Sequence, residues 1–169
     1  MNLASQETAF QYLVDPNDES FLHPADMPRV IGDFCARTEQ PKPKQPGAFV
    51  RAVLESLAFK YRQVILDLER LTREPIRQIR IIGGGSKNRL LNQFTANATG
   101  RPVLAGPAEA TALGNIGMQL LASGASTSLA EVRAMIDRSF PTEVFEPRDT
   151  DKWERHVTRF QQYTEMIYA

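Results

Sequence analysis

Residues 80–94 read RIIGGGSKNRLLNQF: an apolar run, three consecutive glycines, a serine, then an amphipathic stretch. A strand that ends in glycines can bring its backbone close to a phosphate. A helix that starts just beyond presents unpaired N–H groups and a favourable dipole. The same residues also make an ordinary hinge between strand and helix. GGGS by itself supports both readings, and the flanking sequence has to separate them.

Upstream, apolar residues recur in three- and four-residue steps from Ala48 to about Arg70, through Val53, Leu54, Leu57, Tyr61, Val64, Ile65 and Leu68. This spacing predicts one long helix with a broad buried face, stopped by TREP at 72–75. A strand follows over 76–82, then the glycines. A helix is expected over 87–98, with Leu90, Leu91, Phe94 and Ala98 turned to the core and Gly100 ending it. RPVLAG at 101–106 reads as a second strand, and a helix fits within 110–122 despite Gly114 and Gly117. Further helices are expected at 128–138 and 151–167. The last carries a stripe of Trp153, Val157, Phe160, Tyr163, Met166 and Ile167, which helical spacing explains as core. Nearer the start, DPNDES at 15–20 reads as a turn, 23–39 holds a short helix, and PKPKQPG at 41–47 is a connector. Helix, strand, glycine turn, helix, strand, helix is the order of an α/β unit.

Composition narrows the class further. At 169 residues, 42% of them hydrophobic, the chain is long enough for one core. Twenty basic side chains balance twenty acidic ones, so nothing steers the whole molecule toward nucleic acid or an anionic membrane. No apolar stretch reaches bilayer length and the first residues lack the pattern of a secretory signal, so a cytoplasmic protein is expected. Cys35 is the single cysteine and reads as a buried, inert thiol in a reducing compartment.

Common nucleotide signatures fail at the glycines. A P-loop needs GxxxxGK(S/T), but Asn88 stands five residues after Gly83 and Lys87 falls at the wrong offset. The dinucleotide pattern GxGxxG fails at the same Asn88, and the second strand ends without the acidic residue that would meet a ribose. A second loop restores the case for a ligand. AGPAEATALGNIG at 105–117 again places small residues between a strand end and a helix start, and two such loops can wall one crevice at the carboxyl edge of a sheet. Capping of that helix is the ordinary role for Glu109 and for Thr111.

The stretch GGGSKNRLLNQFTANATGRPVLAGPAEATALGNIGMQLLASG, 83–124, resembles the C-terminal ATPase lobe of the FGGY carbohydrate kinases. FQYLVDPNDESFLHPADMPRVI at 10–31 and VRAVLESLAFKY at 50–61 resemble corresponding parts of the same family, so the likeness runs over nearly the whole chain. LGNIG at 113–117 is nearer the L-rhamnulose kinase branch than the glycerol or xylulose branches, which carry alanine-rich versions. The resemblance implies a partial actin-like, ribonuclease-H-like lobe over 1–169, with the N-terminal sugar-binding lobe outside it. It also implies that Gly84 lies against the nucleotide while Gly83 and Gly85 shape the turn. Asn88 would match the asparagine near adenine and ribose, and Ser86 is a further contact candidate. Pro107, Glu109, Thr111 and Gly114 would line or support the neighbouring loop.

By the same resemblance the ligand is ATP or ADP, with Mg2+ in the complete kinase, and the acceptor is the 1-hydroxyl of L-rhamnulose once the sugar-binding lobe is supplied. The family's base is an aspartate, expected upstream of Met1. No acidic residue here lies in a matching segment, and Asp15, Asp18, Asp26 and Asp33 read as solvated or capping. His23 reads as a turn residue and His156 as solvent-exposed. Two distant histidines and one cysteine make a poor transition-metal set. No catalytic residue and no metal ligand is therefore assigned. The isolated chain is expected to be inactive as a kinase; it is completed by an N-terminal kinase chain, is a nucleotide- or protein-binding remnant, or is a truncated product with no retained activity. Uncovered surfaces would favour self-association.

Overall fold

The computed structural model describes residues 3–165. A strap, residues 3–25, lies over two helices, α1 (Met27–Arg37) and α2 (Pro46–Thr72). Asp26 starts α1 by accepting the Arg29 N–H at 3.1 Å, and Pro28 occupies a first-turn position where its missing donor costs nothing. Helix α2 begins on Pro46 and ends because Arg73 turns left-handed, φ 58°, and returns its N–H to Glu69 O at 2.8 Å. Its 27 residues span about 40 Å.

The expected single buried face of α2 needs correction. Ala48, Ala52, Leu54, Ala58, Phe59 and Ile65 are buried, whereas Tyr61, Val64, Leu68 and Leu71 are exposed. The apolar steps continue beyond the elements that cover the helix.

Side chains of α2 and of the loop before it fasten the strap. The amide of Gln40 accepts the Leu13 N–H at 2.9 Å and donates to Leu13 O at 2.7 Å, imitating a neighbouring strand. Ser56 Oγ accepts from Val14, and Glu55 Oε2 from Phe10. Asp15 caps its turn, with Oδ1 accepting the Asn17 N–H at 2.9 Å, but it is buried and not solvated.

Strand β1 (Ile79–Ile81) is shorter than the 76–82 anticipated. Ile76 is held by side chains instead of a neighbouring strand: its N–H goes to Glu69 Oε1 at 2.8 Å and its carbonyl accepts Arg101 Nε at 2.6 Å. Helix α3 (Arg89–Thr99), closed by Gly100 at φ 65°, leads to β2 (Val103–Ala105), which runs parallel to β1 with Arg80 beside Leu104. Helices α4 (Ala110–Ala122) and α5 (Leu129–Ser139) then form a hairpin, in which Gly117 lets α4 approach Val132. Strand β3 (Glu143–Phe145), which the sequence reading missed, pairs antiparallel with β2 and completes the order β1-β2-β3. Helix α6 (Thr150–Glu165) returns to the strap.

The principal core joins strap, α2, α3 and α6 through Phe10, Leu13, Phe59, Phe94, Trp153 and Phe160. Val157 and Tyr163 of the predicted stripe flank it; Met166 and Ile167 lie outside the described residues. His156, read as solvent-exposed, is half-buried and stacks on Phe10 at 4.3 Å between ring centres. A second core under the sheet packs Ala96 against Val103, Ala105 and Phe145. Among the described residues no helix is long and apolar enough to cross a membrane.

Candidate functional site

The glycines lie at the carboxyl end of β1, where Gly83–Lys87 winds into a single 3-10 turn. Gly83 has φ 74°, a conformation that favours glycine, and its N–H donates to Pro107 O at 3.1 Å, joining the first loop to the second. Ser86 Oγ is turned inward and donates to Gly83 O at 2.7 Å. The Asn88 N–H closes the turn on Gly85 O at 3.1 Å, and Asn88 Oδ1 caps α3 by accepting from Leu91 at 3.1 Å. Asn92, which the sequence reading did not single out, donates through Nδ2 to Ser86 O at 2.9 Å.

Gly84 differs from its neighbours. Its φ lies outside the left-handed range, and a Cβ built on it would meet nothing within 4 Å. Nothing in the packing of the described residues requires glycine there. A Cβ on Gly114 would likewise meet open space, whereas one on Gly85 would touch Ile81 at 3.7 Å.

In the second loop, Glu109 stands at the N-cap position of α4 without making a side-chain capping bond, which corrects the role expected of it. Its carboxylate instead faces Lys87 at 3.8 Å, an exposed pair worth well under about 1 kcal/mol. Thr111 is exposed in the first turn of α4 and also makes no cap. The structure thus brings Gly83 to Pro107 and Lys87 to Glu109, but it divides the remaining candidates. Asn88 lines a cavity of about 680 Å3 with Arg89, Gln93 and Phe145. Pro107 and Gly114 line another of about 460 Å3 with Arg80, Ile82 and Arg133. Lys87 and Asn92 were legible only as charged and amide residues near a helix start, and their partners come from the fold.

The small mixed sheet, with α3 packed on it and a glycine turn at the carboxyl end of β1, has the fold of an actin-like lobe. Solved structures carry the same fold: gluconate kinase from Lactobacillus acidophilus superposes with a TM-score of 0.59 at 19% identity, over 74% of this chain and 25% of that one. Xylulose kinase from Rhodospirillum rubrum gives 0.57 at 22% identity over the same shares. The chain belongs to the FGGY family of carbohydrate kinases, whose C-terminal domain profile matches residues 1–123. It is 47% identical over 152 residues to a rhamnulokinase from Bacteroides thetaiotaomicron and 40% identical over 149 residues to one from Bacillus subtilis. Those alignments cover 90% and 88% of this chain, which spans 31% of the length of each relative.

Proposed function

We propose that this chain is the nucleotide-holding part of an ATP-dependent L-rhamnulose kinase, which forms L-rhamnulose 1-phosphate and ADP. Gly84 carries the reading, because its open, unstrained position is explained by something that must approach the backbone closely. Gly83, Gly85 and Ser86 shape the turn beneath it, and Asn88 stands at the start of α3, where the helix dipole favours an anion. Pro107 steadies the turn through its carbonyl and Glu109 faces Lys87 of the turn, while Thr111 and Gly114 stand on α4 beyond these contacts.

The residues around the turn suit a nucleotide better than a metal. The Glu109 carboxylate is exposed and already faces Lys87, so Mg2+ on this reading arrives with the nucleotide and is not held by these side chains. Phosphoryl transfer further needs an oriented sugar hydroxyl and a general base. We assign both to a sugar-binding lobe outside these residues, so the chain alone binds ATP or ADP without turnover and acts on L-rhamnulose in the completed kinase. Its setting would be cytoplasmic rhamnose metabolism.

Titration calorimetry with Mg-ADP tests the reading. The folded chain should bind about one nucleotide, and Gly84→Ala should weaken binding by about tenfold, equivalent to about 1.4 kcal/mol, with no loss of stability. Asn88→Ala is a poor probe by itself because loss of the α3 cap costs about 1 kcal/mol. Asn88→Ser retains a capping oxygen and isolates the nucleotide contact. Folded wild-type protein that binds no Mg-ADP would sink the proposal.

A second reading, a non-catalytic protein-binding remnant, draws on the exposed apolar Tyr61, Val64, Leu68 and Leu71 of α2. Self-association without nucleotide binding would favour it.

A further inference from the structure

Asn92 is completely buried on α3, one helical turn beyond the Asn88 cap. Its Nδ2 donates to Ser86 O, while Ser86 Oγ donates to Gly83 O, so one residue of the turn is gripped at both its carbonyl and its hydroxyl. The other end of the amide is costly: Oδ1 is buried and accepts no hydrogen bond from the described residues. A leucine would fill similar space among Leu91, Thr95, Ile79 and Ile81 without burying a bare acceptor. The service Asn92 performs is therefore at its donor end, on the turn.

We propose that Asn92 is a positioning residue for the nucleotide site, holding Ser86 O so that the Gly84–Ser86 backbone keeps its binding shape without itself touching the nucleotide. The proposal rests on the nucleotide reading of the turn and adds the device that sets its geometry. Thr95, Tyr61 and Arg80 border the same cavity, but none donates to Ser86 O, and the Arg80 guanidinium goes to Asp137 at 4.0 Å. Lys87 and Glu109 are the charged groups nearest along the turn, and they face each other across its exposed side.

The test uses two substitutions with opposite pH behaviour. Asn92→Leu removes the donor at every pH, and its Mg-ADP affinity should fall by about tenfold relative to wild type throughout. Asn92→Asp places a carboxyl group where burial and the Ser86 carbonyl both favour the protonated form, which regains an O–H donor. Its affinity, expressed as a ratio to wild type at each pH, should match the leucine variant near about pH 8.5 and recover most of the loss near about pH 5.5. Hydrogen exchange on nucleotide-free protein supplies the second readout. Amides of residues 83–88 should exchange about tenfold faster in Asn92→Leu, while those of α6 stay unchanged.

A leucine variant that binds within about twofold of wild type overturns the proposal, as does an aspartate variant with no pH-dependent ratio. Should Asn92→Leu fail to fold, the aspartate titration decides alone. Wild type that binds no Mg-ADP sinks the nucleotide reading and the positioning role with it. Wild type that binds, with unaltered exchange and affinity in the variants, sinks only the positioning role.

Discussion

Glu55, about a third of the way along α2, accepts the backbone N–H of Phe10 through Oε2 at 2.8 Å, across 45 residues of sequence. The other carboxylate oxygen accepts Arg51 Nε at 2.8 Å, and Arg51 reaches Ala4 O at 3.0 Å, so one buried ion pair ties the strap to the helix. Burial pushes the Glu55 carboxyl above its ordinary range, against the pull of Arg51 and the Phe10 N–H.

Removing that carboxylate leaves Arg51 and the Phe10 N–H without their partner, so Glu55→Ala should cost about 3 kcal/mol or more in urea unfolding. Glu55→Gln keeps an acceptor and removes the charge. A raised folded value means that the native state binds the proton more tightly than the unfolded chain. The stability Glu55 contributes through this shift is full below about pH 4.3, the unfolded glutamate value, and is lost as pH rises through the folded value. The stability of wild type minus that of Glu55→Gln should therefore fall from about pH 4 toward neutrality. A difference that grows over that range would contradict the assignment.

The hairpin of α4 and α5 depends on a missing side chain. A Cβ on Gly117 would lie 2.5 Å from Val132 Cγ1, and valine is stiff at that position. Alanine at 117 gains about 1 kcal/mol in helix propensity but overpacks the contact by about 1–3 kcal/mol. Gly117→Ala should thus be neutral to destabilising, and Val132→Ala in the same chain should relieve the clash. Gly114→Ala, with open space around it, should stabilise by about 0.5–1 kcal/mol. Thermal unfolding of the three variants distinguishes packing from propensity, because propensity alone would stabilise both alanine substitutions alike.

Cys35 is enclosed by Val14, Ile31 and Phe34, and burial pushes its thiol up to about 11. At about pH 8 an aromatic disulfide reagent should modify the native protein at least about a hundredfold more slowly than the urea-unfolded chain. Rapid modification of native protein would show that the strap leaves α1 readily.

Much of the architecture was written in local pattern. The three- and four-residue steps through Val53, Leu57 and Ile65 marked α2, Gly100 marked the end of α3, and the glycine turn lies where a strand yields to a helix. What escaped depends on partners distant in sequence. Glu143–Phe145 is a strand because β2 pairs with it; three residues carry too little alternation to announce one. His156 is covered because Phe10 folds back upon it, and Asp15 is buried because the strap is pinned to α2. At the candidate site Gly84 was visible as a glycine, but its freedom from any packing demand could be seen only in three dimensions. Glu109 looked like a helix cap because its position is one; its side chain goes to Lys87 instead.

The aromatic core also makes the molecule an optical instrument. Trp153 is the sole tryptophan, its indole edge-on to Phe10 at 4.8 Å and 5.0 Å from Phe59. Detachment of the strap would admit water to the indole and shift its emission to longer wavelength. Loosening of the α4–α5 hairpin, which contributes no residue to that core, would leave the emission unchanged. Fluorescence therefore reports one region of the fold and is silent on the other, so a transition followed by emission alone would describe the strap and not the whole chain.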